Sequence, residues 1–136
     1  MVKLTIPKIT LVDEYLSYQK KYEEIYGLQT IVLMECGSFF EIYDYPSEDG
    51  TEEKIYKIAD IINLSVSRKK NKNSGDNYAL MAGFPNHSYE KWRDILLKHN
   101  YTIVKIEQDS HGTKNPKRKV TEIISPGVNL HSSHYS

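Results

Sequence analysis

Apolar and aromatic residues recur every three or four positions near the start of the chain, which predicts a helix. The positions with this spacing are Leu11, Tyr15, Tyr18, Tyr22 and Ile25. Thr10 is placed to cap the helix and Gly27 to end it. Residues 29–36 are mostly apolar and do not alternate with polar residues, so they predict a strand that is covered on both faces.

The next stretch begins at Gly37, which predicts a turn into a second strand. Residues two apart in a strand point to the same face, so Phe39 and Glu41 should project together while Phe40 and Ile42 face the core. An exposed phenyl ring beside an exposed carboxylate is unusual. Either the strand is an aromatic core strand with a carboxylate at its edge, or the pair meets a ligand that has a flat apolar surface and a polar edge.

The rest of the chain repeats both patterns. Ile55, Ile58, Ala59 and Ile62 predict a short amphipathic helix, and Ser88 is placed to cap another helix that ends near Asn100. Alternation or apolar runs predict further strands at residues 64–67, 78–84, 101–106 and 120–124. The predicted fold class is therefore α/β (α+β), a mixed β-sheet of about six strands flanked by about three helices.

Composition narrows the functional classes. The chain has 136 residues, of which 39% are hydrophobic and 26% charged, as expected for one globular domain. The 18 basic and 18 acidic side chains cancel, so any nucleic-acid binding must come from local patches. One cysteine, no secretory leader and no apolar run of about 18 residues lead us to expect an intracellular protein without a membrane partner.

Catalytic and metal sites are not expected. His131 and His134 have the spacing of metal ligands but lack a third ligand nearby, and Cys36 follows a buried strand with no histidine in local register. A phosphate-binding loop is also missing, because no glycine cluster precedes a lysine at the start of a helix. We expect no catalytic residue, no metal ligand and no cofactor in this chain.

Two basic runs, residues 68–72 and 117–119, lie at the ends of predicted strands. Loops at strand ends commonly contact phosphates, although spacing alone favours a solvated surface as the explanation of such runs.

Five blocks resemble, in order and spacing, the amino-terminal mismatch-recognition domain of the MutS family of DNA mismatch-repair proteins. They are MECGSFFE (34–41), LSVSRK (64–69), MAGFPNH (81–87), IEQ (106–108), and KRKV with ISPGV (117–120 and 124–128). The resemblance covers residues 11–128. It implies a domain at 10–128, with an amino-terminal extension at 1–9 and a flexible tail, or the start of a following domain, at 129–136.

The resemblance also implies residue roles. Phe39 corresponds to an aromatic wedge that enters the minor groove beside a mispair, and Glu41 to the residue that bonds the mispaired base. Lys69, Arg68 and Arg118 correspond to basic positions near the DNA backbone. Ser38, Phe40 and Asn86 depart from the residues usual in the family, which bears on accessory packing more than on the wedge and carboxylate.

The implied partner is double-stranded DNA with mismatches or small loops. In this family the full-length protein is a dimer, and ATP and magnesium belong to later domains, so the chain itself is expected not to be an enzyme. Two alternatives remain open, a protein-docking module on the same fold and a nuclease-like enzyme; the second lacks a carboxylate cluster for divalent metal.

Glu41 raises a chemical question, because an ionised carboxylate accepts hydrogen bonds and a purine N7 also accepts them. We therefore expect Glu41 to take up a proton when DNA binds, since phosphate charge and loss of water both favour the neutral form.

Overall fold

A computed structural model of the protein describes residues 10–48, 54–70, 78–110 and 116–131. Within these ranges the chain forms three helices, α1 (Leu11–Tyr26), α2 (Lys54–Ile62) and α3 (Tyr89–Lys98). It also forms seven strands, β1 (Thr30–Cys36), β2 (Phe39–Asp44), β3 (Ser67–Lys70), β4 (Tyr78–Pro85), β5 (Thr102–Gln108), β6 (Arg118–Ser125) and β7 (Val128–His131).

The strands make one mixed sheet in the order β3-β4-β2-β1-β5-β6-β7. β1 and β5 are parallel, and the other neighbouring pairs are antiparallel. Helix α1 lies on one face, where the Tyr15 ring meets Tyr43 at 5.6 Å, and α3 lies on the other, where Tyr89 meets Phe40 at 5.1 Å. The predicted fold class is confirmed, with seven described strands where about six were expected.

Helix α1 begins and ends where the sequence indicates. The Thr10 hydroxyl accepts a hydrogen bond from the Asp13 amide, and Gly27 ends the helix with a φ of 102°. Its buried face differs from the predicted one, because Val12 and Gln19 are buried while Ile25 is 57% exposed. A polar glutamine is buried there because its side-chain amide forms hydrogen bonds with backbone groups of β1.

Helix α2 buries all four of its predicted apolar residues, Ile55, Ile58, Ala59 and Ile62. Ser88 directly precedes α3, but its side chain makes no capping hydrogen bond, so that prediction is wrong. A short 3-10 turn at Asn86–Ser88 leads into the helix instead. No helix among the described residues is both long and apolar enough to cross a membrane.

Other strand predictions need correction. The alternation at 64–67 predicted a strand that ends before the basic run, but β3 begins at Ser67 and contains Arg68 and Lys69. Arg118 likewise lies in β6 and not in a loop. Basic residues can occupy an edge strand because their long side chains reach solvent. The polarity of this run therefore did not show where β3 begins. Residues 73–77, predicted as a loop tip, lie outside the described residues.

The carboxyl end adds an element that was not predicted. Pro126 and Gly127 were expected to close the domain, but they form a turn into β7, which pairs with β6 through Ser125–Val128 and Ile123–His131. His134 lies outside the described residues, so the structure does not bear on the histidine pair.

Candidate nucleic-acid interface

The β1–β2 turn consists of Gly37 and Ser38 alone, and it places Phe39 opposite Cys36. Gly37 has a φ of 62°, in the left-handed region that favours glycine, which is why the chain can reverse here in two residues. Phe39 is 45% exposed at the first position of β2, while Phe40 and Ile42 are buried. The predicted division of this strand between core and surface is confirmed.

Phe39 and Glu41 border a groove of about 290 Å³ on the face of the sheet that also carries α1. The rest of the groove is lined by Ser65, Ser67, Met81, Ala82 and Gly83. Gly83 pairs with Glu41, and a Cβ at this position would lie 2.9 Å from the Phe40 carbonyl oxygen and 3.2 Å from Glu41 Cγ. Only glycine fits there without a shift, because the backbone of β2 and the Glu41 side chain occupy that space.

The Glu41 carboxylate is joined to two other side chains on this face. The Tyr43 hydroxyl donates a short hydrogen bond to Glu41 Oε2, and it accepts one from Lys69 Nζ at 3.3 Å. Lys69 Nζ also lies 5.0 Å from the centre of the Tyr43 ring, within range of a cation–π interaction. The three groups therefore form a chain in which each hydrogen bond points toward the carboxylate.

Burial and the Glu41 carboxylate together raise the pKa values of two neighbouring groups. Burial raises the pKa of Tyr43 far above its ordinary value, and the hydrogen bond to Glu41 raises it further, so Tyr43 remains a neutral donor. Burial also raises the pKa of Cys36 to about 11, with the Glu41 charge as the next cause. Cys36 is therefore a neutral thiol at physiological pH.

Arg68 and Lys69 are neighbours on β3, so strand alternation sends them to opposite faces of the sheet. Lys69 shares the face of Glu41 through its contact with Tyr43. The Arg68 guanidinium lies 4.6 Å from the Tyr78 ring. Of this basic pair, only Lys69 is brought toward the groove.

Arg118 is enclosed by the protein. Its side chain is only 9% exposed, its Nε donates to the Glu35 carbonyl oxygen at 2.8 Å, and one terminal nitrogen lies 3.7 Å from a Glu14 carboxylate oxygen. These contacts tie the start of β6 to the end of β1. In this arrangement Arg118 supports the turn before Phe39.

Two further residues bond to the turn, and sequence reasoning did not assign them a role. The Gln108 side chain accepts from the Gly37 amide at 3.0 Å and donates to the Gly37 carbonyl at 3.1 Å. The backbone amide of Asn86 donates to the Ser38 carbonyl at 2.8 Å. Gln108 was visible only within the IEQ block, because its partner lies 71 positions away and no local pattern reports such a contact.

Glu35 connects the two sides of this arrangement. Its carboxylate is 4% exposed and accepts from the Gln108 amide at 3.0 Å and from Asn86 Nδ2 at 3.2 Å. A buried carboxylate is costly unless it is hydrogen-bonded, and here it has donors from both neighbouring segments. Tyr43 was also missed, although its position two residues after Glu41 on the same strand face could have indicated it.

In the ranges that the structure describes, no three histidine, cysteine or acidic side chains are grouped so that they could hold a metal ion. The arrangement near Phe39 instead offers an exposed ring, a carboxylate with a tyrosine donor and one lysine on a common face. Such a face suits a planar apolar surface with a polar edge and nearby negative charge.

Comparison with known proteins identifies the family. The family model described as MutS domain I matches residues 11–133 of the chain. The chain belongs to the MutS domain I family. The match includes all the helices and strands from α1 to β7, and it confirms the resemblance on which the roles of Phe39 and Glu41 depend.

Curated relatives include the DNA mismatch repair protein MutS of Streptococcus pneumoniae (strain Hungary19A-6), which is 27% identical over 124 residues. The DNA mismatch repair protein HexA of S. pneumoniae serotype 4 (strain ATCC BAA-334 / TIGR4) is also 27% identical over 124 residues. Each alignment covers 89% of this chain but only 13% of the relative. The chain thus spans only a small part of the length of these mismatch-repair proteins.

Proposed function

We propose that this domain recognises mispaired or unpaired bases in double-stranded DNA by inserting Phe39 from the minor groove. The observation that carries the proposal is the position of an exposed Phe39, directly after a restrained two-residue turn and beside Glu41 on one sheet face, in a chain of the MutS domain I family. The names of the relatives, which are DNA mismatch repair proteins, support the same partner.

The selectivity follows from the cost of opening DNA. Unstacking a base step costs a few kcal/mol, and it costs least where base pairing is already faulty. Stacking of a base on the inserted ring returns about 1–3 kcal/mol and is tolerant of base identity. Phe39 therefore selects weak steps of the duplex and is suited to many different mispairs.

Glu41 supplies the polar contact. Its Oε2 accepts from Tyr43, so a proton taken up on DNA binding belongs on Oε1, from which it can be donated to a base acceptor on the minor-groove edge, such as adenine N3 or thymine O2. Tyr43 in this way fixes which oxygen faces the base. Proton uptake is favoured in the complex because the phosphates are negative and the groove loses water.

Lys69 is the proposed phosphate contact, since it stands on the face of Phe39 and Glu41 and its present partner, the Tyr43 hydroxyl, is neutral. Arg68 projects from the opposite face of the edge strand, so it contributes less unless the DNA backbone passes around that edge. Arg118 must leave the Glu35 carbonyl and Glu14 before it can bind a phosphate, and its proposed role is therefore indirect.

The remaining parts of the proposal concern the whole protein. We propose that this domain acts inside the cell, without catalysis or a cofactor of its own. It would work within a dimer whose other domains bind ATP and magnesium. Because the chain spans only 13% of its curated relatives, these activities would come from outside its 136 residues.

Fluorescence anisotropy of the 136-residue chain with labelled perfect and single-mismatch duplexes tests the proposal. The wild-type chain should bind the mismatched duplex more tightly, and Phe39→Ala should reduce that preference while leaving affinity for the perfect duplex nearly unchanged. Equal binding of both duplexes by both proteins would refute the wedge assignment and favour a protein-docking role for the exposed ring.

A further inference from the structure

The turn that presents Phe39 is bonded to one side chain from outside the hairpin. The Gln108 side chain accepts from the backbone amide of Gly37 and donates to its carbonyl. The Ser38 carbonyl accepts from the backbone amide of Asn86, which continues the pairing of β2 with β4 past Pro85. The pairing of β1 with β2 does not require Gln108, so its two bonds restrain the turn in addition to the hairpin itself.

We propose that Gln108, with Glu35 and Asn86 behind it, is a positioning residue that keeps the Gly37–Ser38 turn rigid so that Phe39 can act as a wedge. The inference rests on the proposed function, since it assigns a task to residues that touch the turn and not the DNA. We call the three residues Glu35, Asn86 and Gln108 the turn clamp.

The reason is mechanical. An inserted ring must hold its place against the tendency of the neighbouring base pairs to restack, and the ring is attached directly after the turn. A turn that could swing would let Phe39 fold back over the sheet without separating bases, and part of the binding free energy would be spent on ordering it. A turn that is already ordered before DNA binds removes this free-energy cost. The gain applies only to complexes in which the Phe39 ring is inserted.

The clamp is itself fixed. Glu35 is buried and accepts from the Gln108 backbone amide and the Asn86 side chain, so β5 and the end of β4 are connected beneath the turn. The Glu35 carbonyl in turn accepts from Arg118. Contacts from β5, from β6 and from the segment after β4 therefore converge near the turn, and Gln108 on β5 supplies both side-chain hydrogen bonds to Gly37.

The chain contains a matched control at the other end of β1. The Gln19 side chain accepts from the Val32 amide at 2.8 Å and donates to the Thr30 carbonyl at 2.7 Å. Like Gln108 it therefore bonds to one backbone amide and one backbone carbonyl, although here they belong to two residues and not to one. The two sites lie about 20 Å apart along the strand at roughly 3.3 Å per residue. Loss of either glutamine removes two similar hydrogen bonds, but only Gln108 contacts the wedge turn.

The test compares Gln108→Met with Gln19→Met, because methionine has a similar length but cannot make both hydrogen bonds. The measurement is the ratio of the Kd for a perfect duplex to the Kd for a single-mismatch duplex, taken well below the thermal midpoint of each variant. Gln108→Met should lower this ratio by about twofold to tenfold, the range expected for one net hydrogen bond, with binding to the perfect duplex unchanged. Gln19→Met should keep the wild-type ratio even though its thermal midpoint falls.

Amide hydrogen exchange in the absence of DNA gives a second readout. Gly37 should exchange faster in Gln108→Met, and Val32 should exchange faster in Gln19→Met. An unchanged ratio in Gln108→Met, or an equal loss of the ratio in both variants, would overturn the inference while leaving the wedge proposal intact. If the wild-type chain does not prefer the mismatch, the proposed function fails and the inference fails with it.

If Gln108→Met does not fold, Gln108→Asn takes its place. Its shorter amide keeps the site polar but cannot reach both backbone groups of Gly37, so the same loss of the ratio is expected. A wild-type ratio in folded Gln108→Asn would also overturn the inference.

Discussion

The chemistry proposed for this domain depends on the two oxygens of one carboxylate. Tyr43 donates to Oε2 of Glu41, and burial together with that hydrogen bond raises the pKa of Tyr43, so the donor keeps its proton throughout the physiological range. A base acceptor can then be met only through a proton on the other oxygen. The same tyrosine links Glu41 to Lys69, so the proposed base contact and the proposed phosphate contact share one support.

Affinity for a mispaired duplex should therefore fall as pH rises. Since the complex holds one more proton than the free partners, removing protons from solution favours dissociation, by up to about tenfold per pH unit. A Glu41→Gln variant carries an N–H donor at every pH and should lose this dependence. Anisotropy measured from pH 6 to 8 in both proteins tests the prediction, with the perfect duplex as the control.

Identical pH profiles for wild type and Glu41→Gln would show that Glu41 does not take up a proton. The wedge role of Phe39 would be unaffected by that result, because stacking does not require the carboxylate.

At the scale of the elements, strand alternation separates two basic residues that the sequence places side by side. Lys69 lies on the face of the groove and Arg68 on the other face of β3. A lysine that binds a phosphate releases about one counterion, so its loss weakens binding to all sequences and reduces the salt dependence.

Lys69→Ala should reduce the slope of log K against log salt concentration by about one, and Arg68→Ala should reduce it less. Titrations of one duplex at several salt concentrations measure both slopes. Equal reductions in the two variants would mean that the DNA backbone passes around the edge of the sheet. The sheet face on which a basic residue lies would then not determine whether it contacts a phosphate.

The elements also indicate how far sequence reasoning reaches. The cap at Thr10, the strand at Thr30–Cys36, which is buried as far as Glu35, and the alternation of Phe39 to Ile42 were predicted from local patterns. A capping residue and a buried face both show in the order of neighbouring residues along the chain. The start of β3 and the burial of Gln19 were not predicted, because the polar side chains at these positions form hydrogen bonds with residues of other elements. The contacts of Gln108 with Gly37, 71 positions apart, had no local signal.

At the scale of the whole molecule, the sheet order brings the candidate site together at one end. β1 and β5 are parallel, so both end beside the β1–β2 turn, and β4 ends and β6 begins at the same edge. Phe39, Glu35, Asn86, Gln108 and Arg118 come from five segments of the sequence and meet there. With a formal net charge of zero, the domain is expected to bind DNA through this end and not through a general positive field.

Insertion of Phe39 beside a mispair is the central claim, and a base whose fluorescence reports unstacking tests it most directly. A duplex with 2-aminopurine next to a single mismatch is titrated with the wild-type chain, with Phe39→Ala and with Tyr56→Ala. Tyr56 is a suitable control because it is an aromatic residue with the same 45% exposure, placed on α2 away from the groove. We predict that wild type and Tyr56→Ala increase the fluorescence and that Phe39→Ala does not, even at saturating protein. An equal increase with Phe39→Ala would contradict the wedge.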